Sequence, residues 1–194
     1  MKIICISILL SISLLLTIGY SGNNTKNDPQ SLTTNINIPD KSVCELFTKE
    51  KMSSITGITF TEEMSTLHEV DKDMGKYVSQ CGYYSDGGDM GVLVRRFGNT
   101  SFPKEKEKII GAGKTGDAEL DAMLEEALAT CKTISGLGDA AYFYNLVGIY
   151  NLVVIFDDHY QVHISSSGKG LGFDDKTLEI SKKVAIEAMK LFKQ

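Results

Sequence analysis

"AAYFYNLVGIYNLVVIFDDHYQVHISS", residues 140–166, is the stretch whose reading decides the fold class. It holds three runs, "AAYFYNLV", "YNLVVIF" and "YQVHISS", rich in aromatic and β-branched residues and divided by Gly148 and by Asp157-Asp158. Such runs read as strands, and connections this short join antiparallel neighbours, so the spacing predicts a meander. "LVVIF" is apolar at consecutive positions, as expected of a strand covered on both faces. The protein's own helices are the expected cover, with a ligand groove or partner surface as the alternative.

Working outward, "DDKTLEISKKVAIEAMKLFK" has acids at its start, lysines towards its end and an apolar stripe through Leu178, Val184, Ala185, Ala188, Leu191 and Phe192. That pattern predicts a terminal helix packed on the sheet. Upstream, "YVSQCGYYS" and "MGVLVRRF" flank Asp86-Gly87-Gly88-Asp89, which makes them a hairpin. Ser42 to Thr56 reads as a helix that Thr48 can restart, opened by a Ser42/Glu45 capping box and ended by Gly57 in a left-handed conformation. Short extended pieces follow it. Ser101 and Pro103 are placed to cap and open a helical region running to Lys132. The expectation is an α+β fold: an antiparallel β-sheet built from two strand groups, packed against N-terminal, central and C-terminal helices. It forms a single domain over residues 38–194.

What precedes the domain gives its address. Met1-Lys2 leads into an apolar run from Ile3 to Ile18, followed by Gly19-Tyr20-Ser21, so residues 1–21 read as a signal peptide. The run is long for a signal and slightly short for a spanning helix, which leaves an uncleaved membrane anchor as the alternative. Residues 22–37, "GNNTKNDPQSLTTNIN", have no apolar periodicity and read as a flexible polar linker. The whole chain carries 20 Lys and Arg against 25 Asp and Glu, and losing Lys2 with the signal keeps the balance acidic. A mildly acidic chain argues against nucleic acid, since neutralising phosphates needs a basic face.

Export sets the reading of the cysteines. Without Cys5, an odd set remains in an oxidising space: Cys44 at a helix start, Cys81 in a strand-like run, and Cys131 on the apolar stripe of the central helix. A staple between Cys44 and Cys81 would join helix to sheet and contribute about 3.8 kcal/mol by the chain-entropy model. Cys131 reads as a buried thiol, the alternative being that it is the bonded partner.

"GAGKTG", residues 111–116, matches the G-x-G-x-x-G dinucleotide fingerprint. Such a loop needs a strand that delivers its glycines to a helix N-terminus, and here "PKEKEKII" precedes it. The better reading is that Gly111, Gly113 and Gly116 break one helical stretch into two, with Asp117 capping the second.

His159, Gln161 and His163 alternate along one strand and so share a face, opposite Tyr160, Val162 and Ile164. A metal site with Asp157 or Asp158 is imaginable, but imidazoles about 13 Å apart along a strand cannot share one ion unaided, so a solvated sheet face is expected. His68 lies in a polar run. In the hairpin, alternation sends Val92 and Val94 to one face and Leu93 and Phe97 to the other, so Arg95 and Arg96 point to opposite sides. Arg95, Arg96, Tyr142, Tyr144, His159 and His163 are the candidate ligand-binding residues. No G-x-S-x-G, H-E-x-x-H or C-x-x-C motif occurs, so no catalytic residue, metal or cofactor is assigned.

The order "VCELFTKEK", "SQCGYY", "GVLVRRF", "ISGLGDAAYF", "LVVIF" and "YQVHIS" resembles a family of small exported bacterial proteins, many of them lipoproteins, defined as a domain of unknown function. The likeness rests on Cys44 ahead of Leu46 and Thr48, on Cys81-Gly82-Tyr83, and on Gly136-Leu137-Gly138-Asp139 before a hairpin, and it spans Val43 to Phe192. The resemblance implies an α+β domain with a Cys44 to Cys81 bond, held or released outside the membrane, and it implies no activity. No lipobox cysteine follows the signal, a departure from the lipoprotein members. Gly136-Leu137-Gly138-Asp139 itself reads as a turn into a strand, with glycines where positive φ is needed.

Two functional classes follow. One is an exported, non-catalytic binding or accessory protein whose partner is a protein or small ligand outside the cytoplasm, reaching a membrane only if the N-terminal segment stays uncleaved. The other is an exported, hydrolase-like enzyme with a fold-assembled site near Asp157, His159 and His163.

Overall fold

The computed structural model describes residues 38–111, 113 and 115–192. The signal peptide and linker expected over residues 1–37 lie outside the described residues, as do Ala112 and Lys114 of the glycine-rich loop.

Helix α1 spans Val43–Leu46 behind a complete Ser42/Glu45 capping box, and α2 spans Lys49–Thr56, capped by Thr48 and closed by Gly57 at φ 73°. The restart anticipated at Thr48 therefore divides one stretch into two helices. Strands β1 (Glu62–Asp71), β2 (Lys76–Tyr84) and β3 (Asp89–Phe97) form an antiparallel meander. The sequence suggested only short extended pieces where the ten-residue β1 lies. An edge strand exposed on both faces carries no apolar alternation to read, and acids such as Glu62, Glu63 and Glu69 suit its open side.

The helical region expected from Ser101 is corrected. Residues 101–104 are not helical; α3 covers Lys106–Ile110 with no side-chain cap, and α4 covers Ala118–Thr130. The segment around Pro103 is tied to the sheet instead: the Phe102 amide donates to the Asp158 carbonyl at 2.8 Å, and Tyr142 Oη donates to the Lys104 carbonyl at 2.7 Å. The break itself is as anticipated, with Gly111 closing α3 at φ 79° and Asp117 accepting from the Glu119 and Leu120 amides. Lys132, placed in the helix by sequence, starts the short strand β4 (Lys132–Thr133).

Strands β5 (Ala140–Leu146), β6 (Ile149–Phe156) and β7 (Tyr160–Ser167) form the predicted meander, and α5 spans Asp175–Phe192. The two strand groups join edge to edge through β3 and β7, giving one antiparallel sheet of order β1-β2-β3-β7-β6-β5-β4. The α+β architecture is therefore the one the strand and helix patterns predict.

Strand parity divides the core into two layers. Tyr77, Cys81, Tyr83, Val92, Val94, Tyr160, Val162, Ile164, Leu152 and Val154 pack with α1, α2 and α5 in the main cluster. The disulfide Cys44–Cys81, with Cα atoms 5.2 Å apart, links α1 to β2 in this layer, and the Val43 amide donates to Ser79 Oγ at 2.9 Å beside it. Residues of opposite parity, among them Tyr144, Val153 and Ile155, are buried as well, and so are Ile109 and Ile110 of α3 and Leu124 and Ala127 of α4. This is the second, smaller layer.

The solvated sheet face expected for His159, Gln161 and His163 is also corrected. Gln161 is buried at 3% exposure and His163 is half-buried: Arg95 bonds Gln161, Phe102 lies against the Arg95 guanidinium, and Asn151 bonds His163. His159 does not belong to the strand; it closes the β6–β7 turn, where Asp157 and Asp158 adopt φ of 51° and 52°.

Candidate functional site

On the α3/α4 side, the register lines up Arg95 with Gln161, Leu93 with His163, and Gly91 with Ser165 across β3 and β7. The next strand adds Ile155, Val153 and Asn151 in the same three rows. Alternation then gives one face a run of polar groups, Arg95, Gln161, His163, Ser165 and Asn151. Tyr142 and Tyr144 of β5 continue the rows of Val153 and Asn151.

These groups hold one another in place. Arg95 Nε donates to Gln161 Oε1, fixing the guanidinium over β7. Phe102 covers part of it, with the guanidinium carbon 5.7 Å from the ring centroid. Asn151 Nδ2 donates to the Ile149 carbonyl at 2.9 Å, so the atom it turns towards His163 is its oxygen. His163 Nε2 lies 2.8 Å from that oxygen and must carry the proton. Nδ1 of the neutral ring is then an acceptor.

The electrostatics follow from burial. Burial, with the Arg95 charge adding to it, pushes the His163 pKa down to about 4, so the imidazole is neutral near pH 7. Burial also lowers the Arg95 pKa, yet a guanidinium starts so high that it stays charged. Among the described residues, no carboxylate forms an ion pair with it.

Beside this pair the sheet loses its side chains. Gly82 and Gly91 face each other across β2 and β3. A Cβ on Gly82 would lie 2.6 Å from Tyr84 Oη, and one on Gly91 would lie 2.5 Å from Ser165 Oγ, so Tyr84 and Ser165 lie over the glycines. Glycines inside two paired strands are a sequence signal for close approach, and Asn151 is the one amide in an apolar strand. Those two features could have pointed to this face.

The six candidate residues separate into three sets. Arg95, His163, Tyr142 and Tyr144 share the α3/α4 face. Tyr142 is half-buried and Tyr144 is buried, its phenol pKa raised by desolvation. Arg96 lies on the main-core face at 4% exposure, its guanidinium carbon 4.8 Å from the Tyr160 ring centroid, and its Nε has no partner. His159 sits apart, Nδ1 at 3.2 Å from the Thr100 carbonyl. Asp158 pairs with Lys104 at 2.5 Å, and among the described residues no side-chain hydrogen bond or ion pair joins Asp157, His159 and His163; the His159 amide donates to the Asp157 carbonyl within the turn.

Among the described residues, no group of three or more His, Cys, Asp or Glu is placed to hold a metal ion. Cys131 is a free thiol, half-buried at the end of α4, where sequence placed it on the buried stripe. The glycine-rich loop follows a helix and not a strand, and its Thr115 Oγ1 donates to Asp121 Oδ1 of α4 at 2.7 Å. Among the described residues, no helix is long and apolar enough to cross a membrane. Comparison of the chain with protein-family models, with curated proteins and with solved structures returned no match.

Proposed function

We propose that this chain works outside the cytoplasm as a non-catalytic binding or accessory domain, and that its ligand site is the sheet face around Arg95. The observation that carries the reading is Arg95 itself. A guanidinium partly withdrawn from water, with no carboxylate among the described residues paired to it, is a costly arrangement that a ligand would relieve. The disulfide supports a non-reducing compartment. Export agrees with the apolar N-terminal run and with the small exported bacterial proteins the sequence resembles. The enzyme alternative has less behind it, since the His159 and His163 rings take separate partners, the Thr100 carbonyl and Asn151 Oδ1.

The test is expression of the full chain in a bacterial host, followed by recovery from cytosolic, envelope and culture fractions. The expected product lacks residues 1–21, carries an oxidised Cys44–Cys81 bond, and holds a ligand or partner visible by native mass spectrometry. An uncut chain in the cytosol carrying ATP or NAD overturns the proposal.

A further inference from the structure

We infer that the Arg95 face takes a small carboxylate whose neighbouring atom bears an N–H or O–H, the chemistry of an N-acyl amino acid or a peptide C-terminus. The inference rests on the binding reading above and names the ligand class for the same site.

Three features of the site converge on that class. Arg95 uses Nε on Gln161, which leaves the two terminal nitrogens, the fork that grips a carboxylate through two parallel hydrogen bonds. His163 stands diagonally across from it, two positions beyond Gln161 on the paired strand, with Cβ atoms about 7 Å apart in such pairs. Its Nε2 proton is committed to Asn151, so it offers a lone pair at Nδ1 and accepts a hydrogen bond. A ligand meeting both groups presents an anion to one and a donor to the other. An α-amido carboxylate has the two side by side.

The same arrangement selects against phosphate and sulfate. One guanidinium balances one negative charge, and no Lys lies in the three cross-strand rows that hold Arg95, His163 and Ser165. Sulfate, which only accepts, would also set its oxygens against the Nδ1 lone pair, whereas phosphate, which keeps an O–H, is disfavoured by its charge alone. Ser165 and Tyr84 over the paired glycines add hydroxyls that can follow either kind of ligand atom, so they do not change the preference.

The experiment is calorimetric titration of the oxidised full chain with N-acetylglycine, its methyl ester, N-acetylsarcosine and inorganic phosphate. A pentapeptide with a free or an amidated C-terminus distinguishes a peptide source from a free small acid. N-acetylglycine is expected to bind saturably, the ester and the sarcosine analogue at least about tenfold more weakly, and phosphate more weakly still. Arg95→Gln should abolish the binding, and Arg95→Lys should leave a weakened remnant that keeps the charge without the fork. His163→Gln should lose the preference for N-acetylglycine over N-acetylsarcosine. Circular dichroism and an intact Cys44–Cys81 bond certify each variant as folded. Binding of N-acetylglycine that survives Arg95→Gln, or no carboxylate-dependent binding at all, overturns the inference. If a neutral ligand or a protein is instead found on this face, the carboxylate assignment fails while the binding-domain reading stands.

Discussion

At the scale of single residues, His163 is the group whose surroundings make a measurable prediction apart from any ligand. Its folded pKa, about 4, lies below the ordinary value of 6.5, so the folded chain resists a proton that the unfolded chain accepts. Between those two values the unfolded state binds more protons, and stability falls as pH falls. The stability attached to neutral His163 is thus complete above about pH 6.5 and is lost on the way down to about pH 4, on the order of 3 kcal/mol. Urea unfolding at pH 7.0, 6.0 and 5.0 should show the slope, and His163→Gln, which can keep the bond to Asn151, should flatten it. The carboxylates held low by hydrogen bonds, such as Glu45 and Asp174, lose their contribution only at more acidic pH, below their ordinary values. An unchanged slope in His163→Gln would mean that the ring is not held neutral by this face.

At the scale of elements, the turn before β5 contrasts two glycines that sequence treats alike. Gly136 and Gly138 both have positive φ, at 76° and 63°. Around Gly136 a Cβ would meet nothing, whereas on Gly138 it would lie within 2.7 Å of Val154 Cγ1 and closer still to the Ile155 carbonyl oxygen. Gly136→Ala should therefore cost about 1 kcal/mol, the penalty of the left-handed backbone alone. Gly138→Ala should cost several-fold more, because the clash is with the backbone of β6 and cannot be relieved by a rotamer change. Denaturant melts of the two variants side by side decide this, and equal losses would refute it. Elements with a periodic apolar face were legible in the sequence: the hairpin, the β5–β7 meander and α5 each have buried residues at the spacing their geometry needs. The non-helical segment 101–104 was not, because a Ser and a Pro at helix-opening spacing are local signals, while the bonds from Phe102 to Asp158 and from Tyr142 to Lys104 are long-range. The site was half legible for the same reason. Alternation separated Arg95 from Arg96, but only the β3–β7 register, which no local pattern encodes, puts Arg95 beside Gln161 and His163.

At the scale of the whole molecule, the Cys44–Cys81 bond joins the helix layer to the sheet across 37 residues of chain. Both cysteines are buried against the main cluster, so α1 is held by packing as well as by the bond. Tyr77 Oη donating to the Lys41 carbonyl at 2.9 Å and Tyr83 Oη to the Phe47 carbonyl at 2.5 Å pin the same segment from either side. The fold should therefore survive reduction in weakened form. What the bond removes is freedom of the unfolded chain, about 3.8 kcal/mol in the entropic account, which for a domain of this size corresponds to a melting temperature lower by roughly 10 °C. The paired variant Cys44→Ala with Cys81→Ala is the cleaner measurement, since it leaves no thiol in the core to exchange with Cys131. It should fold, melt cooperatively and lie roughly 10 °C below the oxidised parent, and the parent treated with a phosphine reductant should fall to nearly the same temperature. A variant that melts with the parent would show that the cross-link does not set stability, and with it would go one physical reason for folding this chain in an oxidising space.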